Sequence, residues 1–138
     1  MAQTKQGKQT ILVVDDDADY VEMNRVVLEK AGYAVITAYN ATECMKTLTA
    51  TVPDLIILDV MMGKMTDGFF ATYDIRKNPN VKNVPILMVT AVNTTVPYRF
   101  EPDDQYLPVD KFIDKPIAPK VLIETVQAML AKAAGGKP

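Results

Sequence analysis

Three short apolar runs in this 138-residue chain each end on a residue type that carries chemistry, and a fourth short segment does the same. Ile11-Leu12-Val13-Val14 is followed by Asp15, Asp16 and Asp17, and Leu55-Ile56-Ile57-Leu58 by Asp59. Ile86-Leu87-Met88-Val89 leads to Thr90 with the small Ala91 behind it, while Lys111-Phe112-Ile113-Asp114 leads to Lys115-Pro116. Carboxylates about 5 Å apart repel by roughly 3 kcal/mol per pair at an effective dielectric of about 20. A cluster of such groups must bind a cation or take up a proton. Every available ligand here is oxygen, so the cation should be hard, and Mg²⁺ with several retained waters fits best. A lysine and a hydroxyl beside a metal-bound carboxylate form a receptacle for a phosphoryl group. Metal and ammonium neutralise its oxygens, the hydroxyl donates to one of them, and the carboxylate attacks phosphorus.

Composition removes several other chemistries. There is no histidine, which excludes Ser-His hydrolysis, His-ligated zinc and imidazole acid–base catalysis by this chain's own groups. Cys44 is the single cysteine, so an internal disulfide and a cysteine-built zinc site are excluded. It and the eight methionines are expected as core filler. The six glycines form neither GxGxxG nor GxxxxGK, leaving nucleotide binding without a motif. Fifteen basic residues against 17 acidic ones give a net charge of −2, which offers no broad basic face for nucleic acid. No unbroken apolar run exceeds four residues, so membrane insertion is not expected. The start, MAQTKQGKQT, lacks the apolar stretch of a signal peptide. The expectation is a cytoplasmic single domain, in keeping with 49% apolar and 23% charged residues.

The reactive residues need elements to position them. Length and β-branched content predict strands at Ile11–Asp15, Ala34–Ala38, Asp54–Asp59, Val84–Thr90 and Lys111–Asp114. Continuously apolar strands belong between two layers of helices. Asp17 or Asp16 is placed to cap a helix running to about Ala31, with Gly32 just past its end. Ala41, Cys44, Met45 and Leu48 form an apolar stripe on a second helix. A third, shorter helix is expected within Gly68 to Lys77, stopped by Asn78-Pro79. Pro119 starts the last helix, whose Leu122, Val126, Met129 and Leu130 should face inward. This β-α alternation calls for a doubly wound parallel α/β sandwich. In such sheets ligands sit beyond the carboxyl ends of the strands, where Asp15, Asp16, Asp59, Thr90 and Lys115 converge. Between Ala91 and Val109 the alternation breaks. Pro97, Pro102 and Pro108 occupy the stretch without any helical stripe, so it is expected to be mostly irregular. Tyr98, Phe100 and Tyr106 there suit either a partner-binding patch or the pinning of a loop to the body.

Taken in order, VVDDD, LIILD, the Thr-Ala after PILMV and the Lys-Pro after FID resemble a response-regulator receiver domain over about residues 10–132. That resemblance implies a flavodoxin-like five-stranded parallel sheet in the order 2-1-3-4-5, its fourth helix short or replaced by the proline-rich segment. Residues 1–9 would be a disordered tail and 133–138 a flexible one. It further implies that Asp59 accepts a phosphoryl group from a phosphohistidine on a sensor histidine kinase or a histidine phosphotransfer protein. Asp16 and Asp59 would hold Mg²⁺ with the backbone carbonyl of Met61, and Asp15 would act through water. Thr90 and Lys115 would contact the phosphoryl oxygens, Phe112 would be the switch aromatic, and the Lys115-Pro116 bond would be cis. With no residues left for an output domain, such a module would act by docking to a downstream protein or as a phosphoryl relay.

The chain also departs from that family's pattern. After Asp59 comes Met62 in the family's methionine position, but Gly63 replaces a proline and Asp67-Gly68 arrives one residue late. Met61 and Val92 are apolar where family members often carry polar side chains, which implies slow self-hydrolysis of a phosphoryl group. Two other functions fit parts of the pattern. Asp15-x-Asp17 suits a small aspartate-nucleophile phosphatase, although Ala18 stands where that class has threonine or valine. A receiver-like scaffold working without phosphorylation is the other, against which the complete set Asp15, Asp16, Asp59, Thr90 and Lys115 argues.

Overall fold

The structure, a computed structural model, describes residues 8–59, 74–81, 83–90, 111–114 and 117–135. Runs of β-branched and apolar side chains fit a pleated surface covered on both sides, and here they form five strands. These are β1 (Thr10–Val14), β2 (Ala34–Ala38), β3 (Leu55–Asp59), β4 (Ile86–Thr90) and β5 (Lys111–Asp114). All neighbouring pairs are parallel, in the order β2-β1-β3-β4-β5. The sheet therefore has the expected order, with β1 and β3 adjacent at its centre.

Alternation along each strand divides the core in two. Leu12, Val14, Ile56, Leu58, Ile86 and Met88 face helix α2 (Ala41–Ala50), packing with Cys44 and Leu48. Ile11, Val13, Leu55, Ile57, Leu87 and Val89 face the other way. They meet Val21 and Leu28 of α1 (Ala18–Lys30), and Leu122, Val126, Met129 and Leu130 of the C-terminal helix (Pro119–Gly135). The predicted inner faces of α2 and the C-terminal helix are thus those that pack. Burial pushes the Cys44 thiol up to about 12, so it stays protonated core filler.

Strand boundaries differ from expectation: β1 runs Thr10–Val14 rather than Ile11–Asp15, and β4 and β3 each start later for a local reason. Val84 lies in a bend whose N–H donates to the Val81 carbonyl, and Pro85 has no donor, so β4 begins at Ile86. Asp54 turns its Oδ2 back to accept from the Thr10 N–H at 2.7 Å, so β3 begins at Leu55. The C-terminal helix runs to Gly135, carried by the good helix formers Ala131, Lys132, Ala133 and Ala134. At the other end, the Gln9 carbonyl accepts from Ala34 N–H, joining the start of β1 to β2. Residues 74–77 are helical, within the third helix expected from the sequence, and Asn78 N–H closes back on the Ile75 carbonyl. The rest of that helix, and the proline-rich stretch 91–109, lie outside the described residues.

Gly32 shows why one glycine is needed. α1 ends with Tyr33 N–H donating to Leu28 O and Gly32 N–H to Glu29 O, a pattern that requires a left-handed residue between them. Gly32 supplies it at φ 104°, and an added Cβ would meet nothing within 4 Å. The penalty for a side chain is therefore conformational. Gly32→Ala should cost about 1 kcal/mol in urea unfolding and Gly32→Asn less, whereas equal costs would point to crowding.

Candidate functional site

The carboxyl edge of the sheet is where the acidic residues meet. β1 ends at Val14, so Asp15 leaves it at the centre of the sheet, its N–H still held by the Ala38 carbonyl at 3.2 Å. β3 runs alongside β1 with Val14 opposite Leu58, which sets Asp59 beside the Asp15-Asp16 turn. One carboxylate oxygen from each of Asp15, Asp16 and Asp59 lies within 4.8 Å of the other two. Asp15 is 2% and Asp59 5% exposed, while Asp16 opens to solvent. Two of three like charges are thus shielded from water, which sharpens their repulsion.

Local bonds fix the turn that carries this group. Asp15 Oδ1 accepts from the Asp17 N–H at 3.0 Å. Asp17 in turn caps α1, its Oδ1 accepting from Asp19 N–H at 3.1 Å and Tyr20 N–H at 3.2 Å. Of the two capping candidates, Asp17 holds the cap and Asp16 is left to the pocket. α2 begins similarly, with Asn40 Oδ1 accepting from Glu43 N–H and Glu43 Oε1 from Tyr39 N–H.

The same edge gathers the ends of the remaining strands. Asp59 lies opposite Val89, so Thr90 is the next step along β4, and Thr90 in turn lies opposite Asp114 at the end of β5. Lys115 follows Asp114 directly. For Thr90 and Phe112 the backbone falls within the described atoms and the side chains do not. Met61, Val92, Lys115 and Pro116 lie outside the described residues. The fold therefore brings Asp15, Asp16 and Asp59 together and aligns Thr90 with them.

Three oxygen donors at this spacing, two buried and one open to water, suit a hard divalent cation that keeps part of its hydration. Asp15, Asp16 and Asp59 would hold it. Binding should then appear as stabilisation: at about ten times the dissociation constant, Mg²⁺ adds about 1.4 kcal/mol and raises the melting temperature by roughly 3–6 °C. Asp16→Asn should remove most of that rise. An equal rise in wild type and variant, followed by thermal denaturation, would mean the cation binds elsewhere.

Two features escaped the reading of the sequence. Asp54 pins the start of β1 through its side chain. Asn24 is 3% exposed on the inner face of α1, and its Nδ2 is buried without a hydrogen-bond partner among the described residues. A polar residue three after Val21 and four before Leu28 was the available signal.

Known proteins resemble this chain in both sequence and shape. Residues 11–127 match the response regulator receiver domain family. The alkaline phosphatase synthesis transcriptional regulatory protein PhoP of Bacillus subtilis is 35% identical over 127 residues, covering 89% of this chain and 49% of that protein. The phosphate regulon transcriptional regulatory protein PhoB of Pseudomonas aeruginosa is 32% identical over 132 residues, covering 93% of this chain and 54% of that protein. The chain thus spans about half the length of the curated relatives it matches. Among solved structures, the chemotaxis response regulator CheY4 of Vibrio cholerae is similar at 30% identity and a TM-score of 0.75, covering 88% of this chain and 98% of that one. A CheY-like receiver domain protein of Methanospirillum hungatei, at 24% identity and a TM-score of 0.79 over 95% of this chain, shares the fold. Among the described residues no helix is long and apolar enough to cross a membrane.

Proposed function

Since the chain belongs to the response regulator receiver family of two-component signalling, we propose that it accepts a phosphoryl group on Asp59 and signals by protein contact in the cytoplasm. The observation that carries this reading is the convergence of the Asp15, Asp16 and Asp59 carboxylates within 4.8 Å at the sheet's carboxyl edge. An Asp59 oxygen attacks phosphorus in line with the nitrogen of a phosphohistidine. The O–P bond forms, the N–P bond breaks, and the partner's imidazole leaves. This chain has no histidine, so a sensor histidine kinase or histidine phosphotransfer protein must supply that donor.

Mg²⁺, when bound, offsets negative charge on the transferring group. Asp16, Asp59 and the backbone carbonyl of Met61 would hold it, with Asp15 reaching it through water. Burial of Asp15 and Asp59 keeps bulk solvent off the carboxylates. The Asp15–Asp17 bond fixes the angle at which the Asp15-Asp16 turn meets Asp59. In this reading Thr90 and Lys115 contact the phosphoryl oxygens, Phe112 relays the change outward, and Lys115-Pro116 is cis. The receiver proper then covers residues 10–132.

Support for the phosphatase alternative weakens at Asp17. Its carboxylate is exposed and committed to two backbone N–H groups of α1, away from the pocket. Incubation with a small acyl phosphate and Mg²⁺ separates the readings. A receiver gains one covalent, hydroxylamine-labile phosphate, whereas a phosphatase turns over a phosphoester without limit and a phosphorylation-independent scaffold does neither. Neither Met61 nor Val92 can orient a water by its side chain, so the phosphoryl group should persist. Met61→Asn should speed phosphate release by about tenfold, and an unchanged release rate would remove these positions from control of its lifetime.

A further inference from the structure

Helix α1 is tied to the acidic pocket at one end, and its inner face, packed by Val21 and Leu28, carries one buried polar defect at Asn24. Asp17 both donates its N–H to Asp15 Oδ1 and caps α1 through Asp19 and Tyr20 N–H, so a single residue joins pocket and helix. Along its outer face Arg25 bonds both Glu22 and Glu29, which stitches two turns into one unit. On the inner face, two turns from the cap, Asn24 Nδ2 is buried among apolar residues with no acceptor among the described residues. An unmet buried donor weakens the packing of the helix that carries it.

We infer that α1 is a conformational device: occupancy of the Asp15–Asp16–Asp59 pocket tightens the Asp17 cap, and the unmet Asn24 amide leaves the helix dependent on that cap for its stability. This rests on the pocket holding a divalent cation. A cation held by the clustered carboxylates draws the 15–17 turn toward Asp59, the cap stays closed for more of the time, and local opening of α1 becomes rarer. Phosphorylation-linked signals thereby gain a route through α1, separate from Thr90 and Phe112.

Amide hydrogen exchange on the full chain, with Mg²⁺ as the probe and calorimetry recording its binding, tests this. Saturating Mg²⁺ should slow exchange of the amides from Val21 to Leu28 by between roughly five- and tenfold in the wild type. Asn24→Leu, which replaces the unmet donor with apolar packing, should show slow exchange with or without Mg²⁺. Asp17→Ala should show fast exchange in both states. Binding of Mg²⁺ without any change in α1 exchange overturns the inference and leaves the pocket reading intact. Absence of Mg²⁺ binding overturns both. A wild-type-sized response in Asn24→Leu removes Asn24 from the device and overturns it as stated.

Discussion

Asp59→Asn will lose covalent phosphorylation, with labelling by a small acyl phosphate in Mg²⁺ falling on the order of 1,000-fold or more. The substitution keeps shape and volume but exchanges a charged oxygen nucleophile for an amide oxygen. Asp15 and Asp16 remain within reach of the site. They are poor substitutes, because Asp15 is bound to the Asp17 N–H and both leave β1 rather than β3. The fold should survive, since removing one of three clustered carboxylates relieves repulsion. Intact-mass spectrometry over a time course reads the rate, and urea unfolding confirms the fold. Labelling of the variant at more than a tenth of the wild-type rate would place the nucleophile elsewhere.

Leu58→Ala will cost about 2–5 kcal/mol in urea unfolding, the largest stability effect expected of a single truncation near the site. Leu58 is 0% exposed in β3, which lies between β1 and β4. It packs in the cluster that holds Leu12, Val14, Leu48, Ile75 and Met88. Close-packed strands and helices on every side leave little freedom to close the cavity. The next residue is Asp59, so a shift of β3 also moves the pocket. A falling midpoint with an unchanged denaturant dependence is the expected pattern. A cost below about 1 kcal/mol would mean that the centre of the sheet collapses freely around the loss.

How much the sequence disclosed follows from how local each determinant is. β1, β3 and β4 announce themselves because strands covered on both faces must be apolar without interruption. The inner faces of α2 and the C-terminal helix follow from spacing alone, as Cys44, Leu48, Leu122 and Val126 demonstrate by burial. The pocket was foreseeable because Asp15, Asp16 and Asp59 sit at strand ends, and parallel order brings those ends to one edge. What escaped depends on contacts between distant residues. Asp54 finds Thr10 across 44 positions, and no local pattern announces such a pair. Asn24 conflicts with the apolar face around it. Such a conflict is recognised as a burial defect only when the C-terminal helix and the sheet are in place.

The most direct test is to trap the phosphorylated chain chemically and find the modified residue. After incubation with acetyl phosphate and Mg²⁺, borohydride reduces an aspartyl phosphate to homoserine, which peptide mass spectrometry identifies by position. Conversion confined to position 59 is the predicted result. Conversion at 15 or 16, or no conversion while Mg²⁺ binds, would contradict phosphoryl acceptance at the end of β3.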